Sequence, residues 1–213
     1  MPAKSDREYR NMTIEIRAAE SITEEPKMIV RGYASTFNEP YTLYEDDEIR
    51  INEVVDAGAF KDTDMADVIM QYDHQGRVFA RISNNTLTVE PDEKGLLIEA
   101  DLGGTELGRQ LYEEIRGGYT NKMSFGFTVS GEDWSKEKTE DGKRLSTRTI
   151  TSVRKLYDVS AVSLPANDAT SISVRSLTDG VIEEARAERL EAEELELRRR
   201  KLIAKSKLIG GQK

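Results

Sequence analysis

The segment NKMSFGFTV, residues 121–129, alternates large apolar residues with small or polar ones. In a β-strand, residues two apart share a face, so the large residues point one way while Ser124 and Gly126 point the other. The pattern predicts a strand with its large residues in the core. A serine on such a strand has the rigid support and open space that a nucleophile needs. An ordinary serine on a half-buried strand gives the same pattern, and both interpretations stay open at this point.

Further strand-like segments lie on both sides of this one. They alternate or are rich in β-branched residues, and they span residues 12–17, 28–34, 95–102, 147–156 and 158–164. Many short strands favour a closed sheet, because closure removes exposed strand edges. We therefore expect a mainly β fold with flanking helices (α+β), built as a small closed β-barrel and followed by a charged C-terminal helix.

Two segments depart from the strand pattern. Thr105 as an N-cap, Leu111 and Ile115 at helical spacing, and a Gly-Gly stop at residues 117–118 predict one helix. The polar residues 131–144 predict a mobile loop.

The chain divides into three parts by composition. Residues 1–11 are polar and charged, which predicts a disordered leader. Residues 12–177 form the expected domain. Residues 178–213 are dense in Glu, Ala, Leu and Arg, with opposite charges four residues apart, which predicts a long solvated helix.

Composition excludes several kinds of site. A formal net charge of −9 over 213 residues excludes nucleic-acid binding by a general basic field. Zero cysteines exclude disulfides, zinc–thiolate sites, iron–sulfur clusters and a cysteine nucleophile, and one histidine excludes a multi-histidine metal site. We expect no cofactor and no metal ion. No segment has the length and apolarity of a membrane span or a signal peptide, so we expect a cytoplasmic protein without membrane contact.

His74 and Asp158 are the other candidate catalytic residues. Imidazole is the only side chain whose ordinary pKa lies near neutrality, so a general base here is His74 or a group with a shifted pKa. Asp158 interrupts an apolar strand, where an unpaired carboxylate is costly. Its partner is either His74, as in a serine-protease triad, or a cation such as Arg154 or Lys155. For His74 itself, a histidine without any chemical role is the alternative.

Four segments together resemble one protein family. They are residues 28–37 (MIVRGYASTF), 72–74 (YDH), 123–127 (MSFGF) and 156–167 (LYDVSAVSLPAN). Their order and spacing are similar to those of the prohead (capsid maturation) proteases of HK97-type tailed phages, over about residues 14–177. That family is related to the herpesvirus capsid proteases, whose fold is a small β-barrel with surrounding helices.

The resemblance implies roles for particular residues. It implies a serine endopeptidase with Ser124 as the nucleophile, His74 as the general base and Asp158 as the third member of the triad. It also implies oxyanion-hole donors at the backbone N–H groups of Ala166 and Asn167.

Substrate and partners are also implied by the resemblance. The protein would act in the host cytoplasm, inside the procapsid, on the scaffolding segment of the major capsid protein and on itself. A flexible segment at residues 176–180 would offer a point of self-cleavage, and the charged tail would dock on the scaffold or be removed. A homodimer stays open. No direct nucleic-acid binding is expected despite the basic residues 198–207, because the rest of the chain is acidic.

One other class of function stays open. A non-catalytic, scaffold-binding assembly module with the same barrel would also use a long charged helix for interaction. The presence of Ser124, His74 and Asp158 in one chain favours the peptidase.

Overall fold

The computed structural model describes residues 7–15, 17–18, 27–140, 142–162 and 172–210, and these residues form a mainly β fold with two α-helices. This agrees with the predicted class. The strands are β1 (Glu8–Glu15), β2 (Arg17–Ala18), β3 (Ile29–Thr36), β4 (Tyr41–Glu45), β5 (Ile49–Val55), β6 (Ile69–Tyr72), β7 (Gln75–Arg81), β8 (Leu87–Pro91), β9 (Gly95–Asp101), β10 (Lys122–Lys138) and β11 (Arg144–Val162). The helices are α1 (Glu106–Arg116) and α2 (Ile172–Gly210).

The larger sheet is organised around β11, which is long enough to pair with different neighbours at its two ends. The strand order is β1-β10-β11-β5-β4. β5 runs parallel to the first part of β11, and β6 runs parallel to its last part, from Asp158 to Ala161. β7 then pairs with β6 in an antiparallel hairpin. The β6–β7 turn therefore lies beside the end of β11.

The smaller sheet, in the order β2-β3-β9-β8, packs against the larger one. Buried apolar residues of both sheets form one core, among them Val30, Ile98, Phe125 and Val159. The strand pairings among the described residues leave the two sheets separate, so the predicted closed barrel is not found in them. The shared core buries the apolar residues that the barrel was expected to bury.

Helix α1 begins and ends where the sequence predicts. The Thr105 side chain accepts a hydrogen bond from the N–H of Gly108 at 2.9 Å, which satisfies one of the free donors of the first turn. Leu111 and Ile115 are buried against the core. After the helix, Gly118 adopts a φ of 77°, a conformation that favours glycine.

Residues 131–144, predicted to be a mobile loop, form most of the far half of a long hairpin. β10 extends to Lys138 and pairs with β11 from Arg144 onward. The turn is closed by a hydrogen bond from the N–H of Thr139 to the carbonyl of Lys143 at 2.9 Å. The prediction was wrong because this half of the hairpin is mostly solvent-facing, so its composition resembles that of a loop.

The first strand begins at Glu8, inside the segment that was predicted to be a disordered leader. It pairs antiparallel with β10, with Glu8 opposite Phe127 and Met12 opposite Met123. A cluster of four charged residues from three strands explains why this segment is a strand rather than a disordered leader.

The side chain of Arg10 is fully buried and binds both carboxylate oxygens of Glu53, at 2.5 and 2.8 Å. Arg148 lies 2.7 Å from Glu53 and 2.7 Å from Glu8. Burial alone would raise the pKa of Glu53, but the charges of Arg10 and Arg148 overcome this and lower it to about 2. The cluster fixes β1 to the sheet.

Replacing Glu53 with glutamine removes the fully buried counter-charge of Arg10 and Arg148 and leaves the partly exposed Glu8 as the carboxylate that contacts both. Removing one partner of a buried ion pair costs about 3 to 5 kcal/mol, and we expect the free energy of unfolding in urea to fall by a similar amount. The control is Glu99→Gln, because Glu99 pairs with Arg31 at the surface, where such pairs contribute little. Equal losses in the two variants would contradict a structural role for the cluster.

Helix α2 begins at Ile172, so the predicted boundary at residue 178 falls inside it. Residues 176–180 are helical, so the prediction of a flexible segment there is wrong. Ile182 is buried and joins an apolar cluster of β4 and β5. Residues 186–203 are exposed throughout. Neither described helix is long and apolar enough to cross a membrane.

Candidate active site

Ser124 lies on β10 between β1 and β11, opposite Asn11 on one side and Ser160 on the other. Its neighbours in sequence, Met123 and Phe125, are fully buried, and so is Ser124 itself. The core thus holds the backbone that carries the serine rigidly, as the sequence predicts. The hydroxyl donates a hydrogen bond to the carbonyl of Arg10 at 2.9 Å.

His74 lies in the two-residue turn between β6 and β7, which Tyr72 and Gln75 close as a pair. Asp73 and His74 both have positive φ, 48° and 58°. A tight hairpin turn with two such residues usually takes Asn or Gly there, so a histidine is unusual. Residues held in uncommon backbone conformations cluster at functional sites.

The turn places the imidazole of His74 between Ser124 and Asp158. Nε2 lies 2.5 Å from Ser124 Oγ, and Nδ1 lies 2.5 Å from Asp158 Oδ1. The structure thus brings together the three residues that the sequence singled out, which come from three different strands or turns. Lys155, one of the cations considered for Asp158, binds Asp64 at 2.8 Å instead, but Asp158 does pair with another cation, Arg7.

Asp158 is fully buried on β11, directly opposite Gly126. A Cβ at Gly126 would lie 2.5 Å from Asp158 Oδ2, so only glycine leaves room for the carboxylate there. The second oxygen of Asp158 accepts a hydrogen bond from Arg7. Arg7 was not predicted as part of the site, because it lies in the segment interpreted as a leader.

Ser160 is a further residue of the site that the sequence analysis missed. Its hydroxyl donates to Asp158 Oδ1 at 3.0 Å and lies 3.2 Å from His74 Nδ1. It also accepts a hydrogen bond from the backbone N–H of His74 at 3.3 Å. The signal was available, because residues two apart on one strand share a face and Asp158 was already a candidate.

Burial is the main cause that lowers the pKa of His74, and the positive charge of Arg7 is the second; together they lower it to about 4. The carboxylate of Asp158 favours the protonated imidazole, but Arg7 shares that carboxylate and offsets its charge. At neutral pH the imidazole is therefore uncharged. In that state one ring nitrogen accepts a proton, as a general base must.

The pH titration of His74 follows from this environment. We expect a midpoint near 4 in the folded chain, against 6.5 for an ordinary histidine. The unfolded chain therefore takes up the proton first, so the stability from this group is present above pH 6.5 and is lost as the pH falls towards 4. Nuclear magnetic resonance of the ring C–H protons measures the midpoint without ambiguity, because the chain has one histidine. A midpoint at or above 6.5 would contradict the described surroundings of the ring.

The proposed oxyanion-hole residues, Ala166 and Asn167, lie outside the described residues. Among the residues that the structure describes, no three His, Asp or Glu side chains gather where they could hold a metal ion. The described residues thus offer a hydroxyl, an imidazole and a carboxylate, each within hydrogen-bonding distance of the next.

Comparison with known proteins identifies the family. A family model described as the caudovirus prohead serine protease matches residues 12–182, and the chain belongs to that family. It is therefore a bacteriophage serine protease of capsid maturation. No curated protein sequence matches the chain.

Among solved structures, the bacteriophage T4 capsid assembly protease, gp21, is similar at 12% sequence identity and a TM-score of 0.42. The match covers 75% of this chain and 98% of that one. At this distance it assigns no roles to residues.

Proposed function

We propose that this chain is a serine endopeptidase in which Ser124 is the nucleophile, His74 the general base and Asp158 the group that orients the imidazole. The observation that carries the proposal is the pair of contacts made by one ring, Nε2 to Ser124 Oγ and Nδ1 to Asp158 Oδ1, both at 2.5 Å. These are the contacts that serine acyl transfer requires.

The reaction proceeds in two halves. Ser124 Oγ adds to the scissile carbonyl carbon while His74 takes the hydroxyl proton, and His74 then gives that proton to the leaving amine. Asp158 stabilises the imidazolium that forms between these steps. Water then attacks the acyl-enzyme with His74 again acting as the base, which releases the acid product and restores Ser124.

Two further groups support this chemistry in the proposal: the hydroxyl of Ser160 and an oxyanion hole. Ser160 donates a hydrogen bond to the carboxylate of Asp158 and accepts one from the backbone N–H of His74, so it holds the carboxylate and fixes the turn that carries the imidazole. The oxyanion is assigned to the backbone N–H groups of Ala166 and Asn167 on the resemblance alone. Donors at such positions stabilise the tetrahedral intermediate more than the ground state.

The substrate in this proposal is the scaffolding segment of the major capsid protein inside the procapsid, and the chain itself is a second substrate. Membership of the prohead protease family supports a capsid protein as partner. In this proposal the two sheets and α1, from β1 to β11, form the protease domain, and the exposed part of α2, residues 186–203, is the element that docks on the scaffold or is removed.

Intact masses of the wild type and the Ser124→Ala variant test the proposal. Each is incubated alone and co-expressed with the major capsid protein of the same phage. We expect trimming of the capsid protein, and of the chain, in the wild-type samples only. If both capsid samples stay whole or are trimmed alike, the non-catalytic assembly module becomes the better explanation.

A further inference from the structure

The start of β1 covers the candidate active site. Ser124 and Asp158 have no exposed surface, although a nucleophile must meet the carbonyl of its substrate. The covering residues lie at positions 7–10, and we name this segment the N-terminal strap. While the strap is in place, no peptide carbonyl reaches Ser124.

Two side chains of the strap contact the other members of the triad. Arg7 donates a hydrogen bond to Asp158, the carboxylate that would otherwise serve His74 alone. The ring of Tyr9 packs edge-on against the imidazole of His74, with 4.4 Å between the ring centroids. The side chains of the strap thus cover the carboxylate of Asp158 and the imidazole of His74.

The backbone of the strap engages the serine. Ser124 donates its hydroxyl proton to the carbonyl of Arg10. A hydroxyl group has one proton, so Ser124 cannot donate to His74 at the same time. The carbonyl of Arg10 therefore competes with His74 Nε2, which lies 2.5 Å from Ser124 Oγ, for the proton that the first step of catalysis transfers.

The geometry of strand pairing shows which surface the strap occupies. β11 pairs along one edge of β10, and β1 holds the other edge beside Ser124. Extended peptides commonly bind by adding a strand to a sheet edge, through main-chain hydrogen bonds. A peptide that brings its carbonyl to Ser124 along β10 therefore needs the edge that the strap holds, with a carbonyl where Arg10 now has one.

Gly126 contributes space that the strap fills. A Cβ there would lie 2.9 Å from the ring of Tyr9 and 3.0 Å from Nε of Arg7. The open space in front of Ser124 that the sequence predicts is thus present but occupied.

We propose that the N-terminal strap occupies the peptide-binding edge of β10 in the manner of a substrate strand, and that the strap must leave before an extended polypeptide can bind there. The inference rests on the proposed function, since it concerns access to the same serine. The strap precedes the part of the chain that the family model matches, which starts at residue 12. Release of the strap has to break the buried pair of Arg10 with Glu53, so it starts at the outer end, where the side chain of Arg7 is 35% exposed.

Labelling of Ser124 by diisopropyl fluorophosphate tests the strap. The reagent forms a bond from serine Oγ to phosphorus and expels fluoride, and intact mass gives the rate in full-length chains. In the double variant Arg7→Gln/Tyr9→Ser we expect labelling at least about tenfold faster than in the wild type, as a tenfold larger open population would give. Arg7→Gln alone should be faster to a smaller degree. The matched control Arg31→Gln removes a surface ion pair of the other sheet and should label at the wild-type rate.

The outcomes separate the strap from the proposed function. Equal rates in all variants, with labelling lost in Ser124→Ala, would overturn the strap and leave the peptidase intact. No labelling of Ser124 in any variant would overturn the proposed function. Circular dichroism shows whether each variant is folded.

The resonance of His74 gives a second readout that needs no activity. Because the charge of Arg7 lowers the pKa of His74, Arg7→Gln should raise the titration midpoint. An unchanged midpoint would mean that Arg7 does not lie at the triad, and the strap proposal would fail whatever the labelling rates are.

Discussion

Replacing His74 with asparagine is expected to lower the rate of peptide cleavage by about ten thousandfold or more, because the loss of the base from a serine triad removes most of the catalysis. The substitution suits the turn, since asparagine tolerates the positive φ that this position has, 58°. The variant should therefore fold normally. The measurement is the turnover of the capsid protein precursor by purified enzyme.

The matched control is Asp73→Asn, which places the same side chain at the other left-handed position of the same turn. Its activity should stay close to that of the wild type. If both variants lose activity equally, the loss comes from the turn rather than from the imidazole. Wild-type turnover by the His74 variant would show that another group is the base.

Replacing Asp158 with asparagine is expected to lower turnover by about a thousandfold to ten thousandfold. The amide keeps the size of the carboxylate but cannot stabilise the imidazolium, and its NH2 group favours the wrong tautomer of His74. Since these effects arise in the transition state, kcat should fall while KM stays nearly constant.

The control for this change is Asp64→Asn, because Asp64 lies on the surface, where it pairs with Lys155. We expect unchanged kinetics from it. A loss in Asp158→Asn of less than about tenfold, too small for the removal of a triad member, would remove Asp158 from the proposed mechanism.

The candidate site was largely predictable from the sequence because its residues belong to short segments with a clear local pattern. Ser124 stands out on an alternating strand, Asp158 in an apolar one, and His74 by being the only histidine. Alternation also reaches Ser160, two residues after Asp158. What local pattern cannot give is the distance between segments, and the His74 contacts span 50 and 84 residues of sequence.

The leader was mispredicted for a related reason. Arg10 finds its counter-charge in Glu53, and Arg148 completes the cluster from a strand late in the chain. Charge in a short segment usually indicates solvent exposure, and nothing local shows that these charges are neutralised by residues far along the chain. The contact of Arg7 with Asp158 was missed for the same reason, because the two residues lie 151 positions apart in the sequence.

The hairpin and the tail illustrate the limits of composition. The far half of the β10–β11 hairpin is strand because its backbone pairs continuously, whereas its exposed side chains resemble those of a loop. Helix α2 runs through Gly180, although glycine usually ends a helix, and begins at Ile172. The exposed side chains of the hairpin carried no signal about its backbone, whereas opposite charges four residues apart predicted most of α2 and missed where it begins.

The central claim is that Ser124 is the nucleophile, and the most direct test is to map where diisopropyl fluorophosphate reacts. The wild-type chain is incubated until labelling is complete, digested, and its peptides are sequenced by mass spectrometry, with His74→Asn treated in parallel. We expect one adduct, on Ser124, that is absent from the His74 variant. An adduct on another serine with Ser124 unmodified would contradict the account.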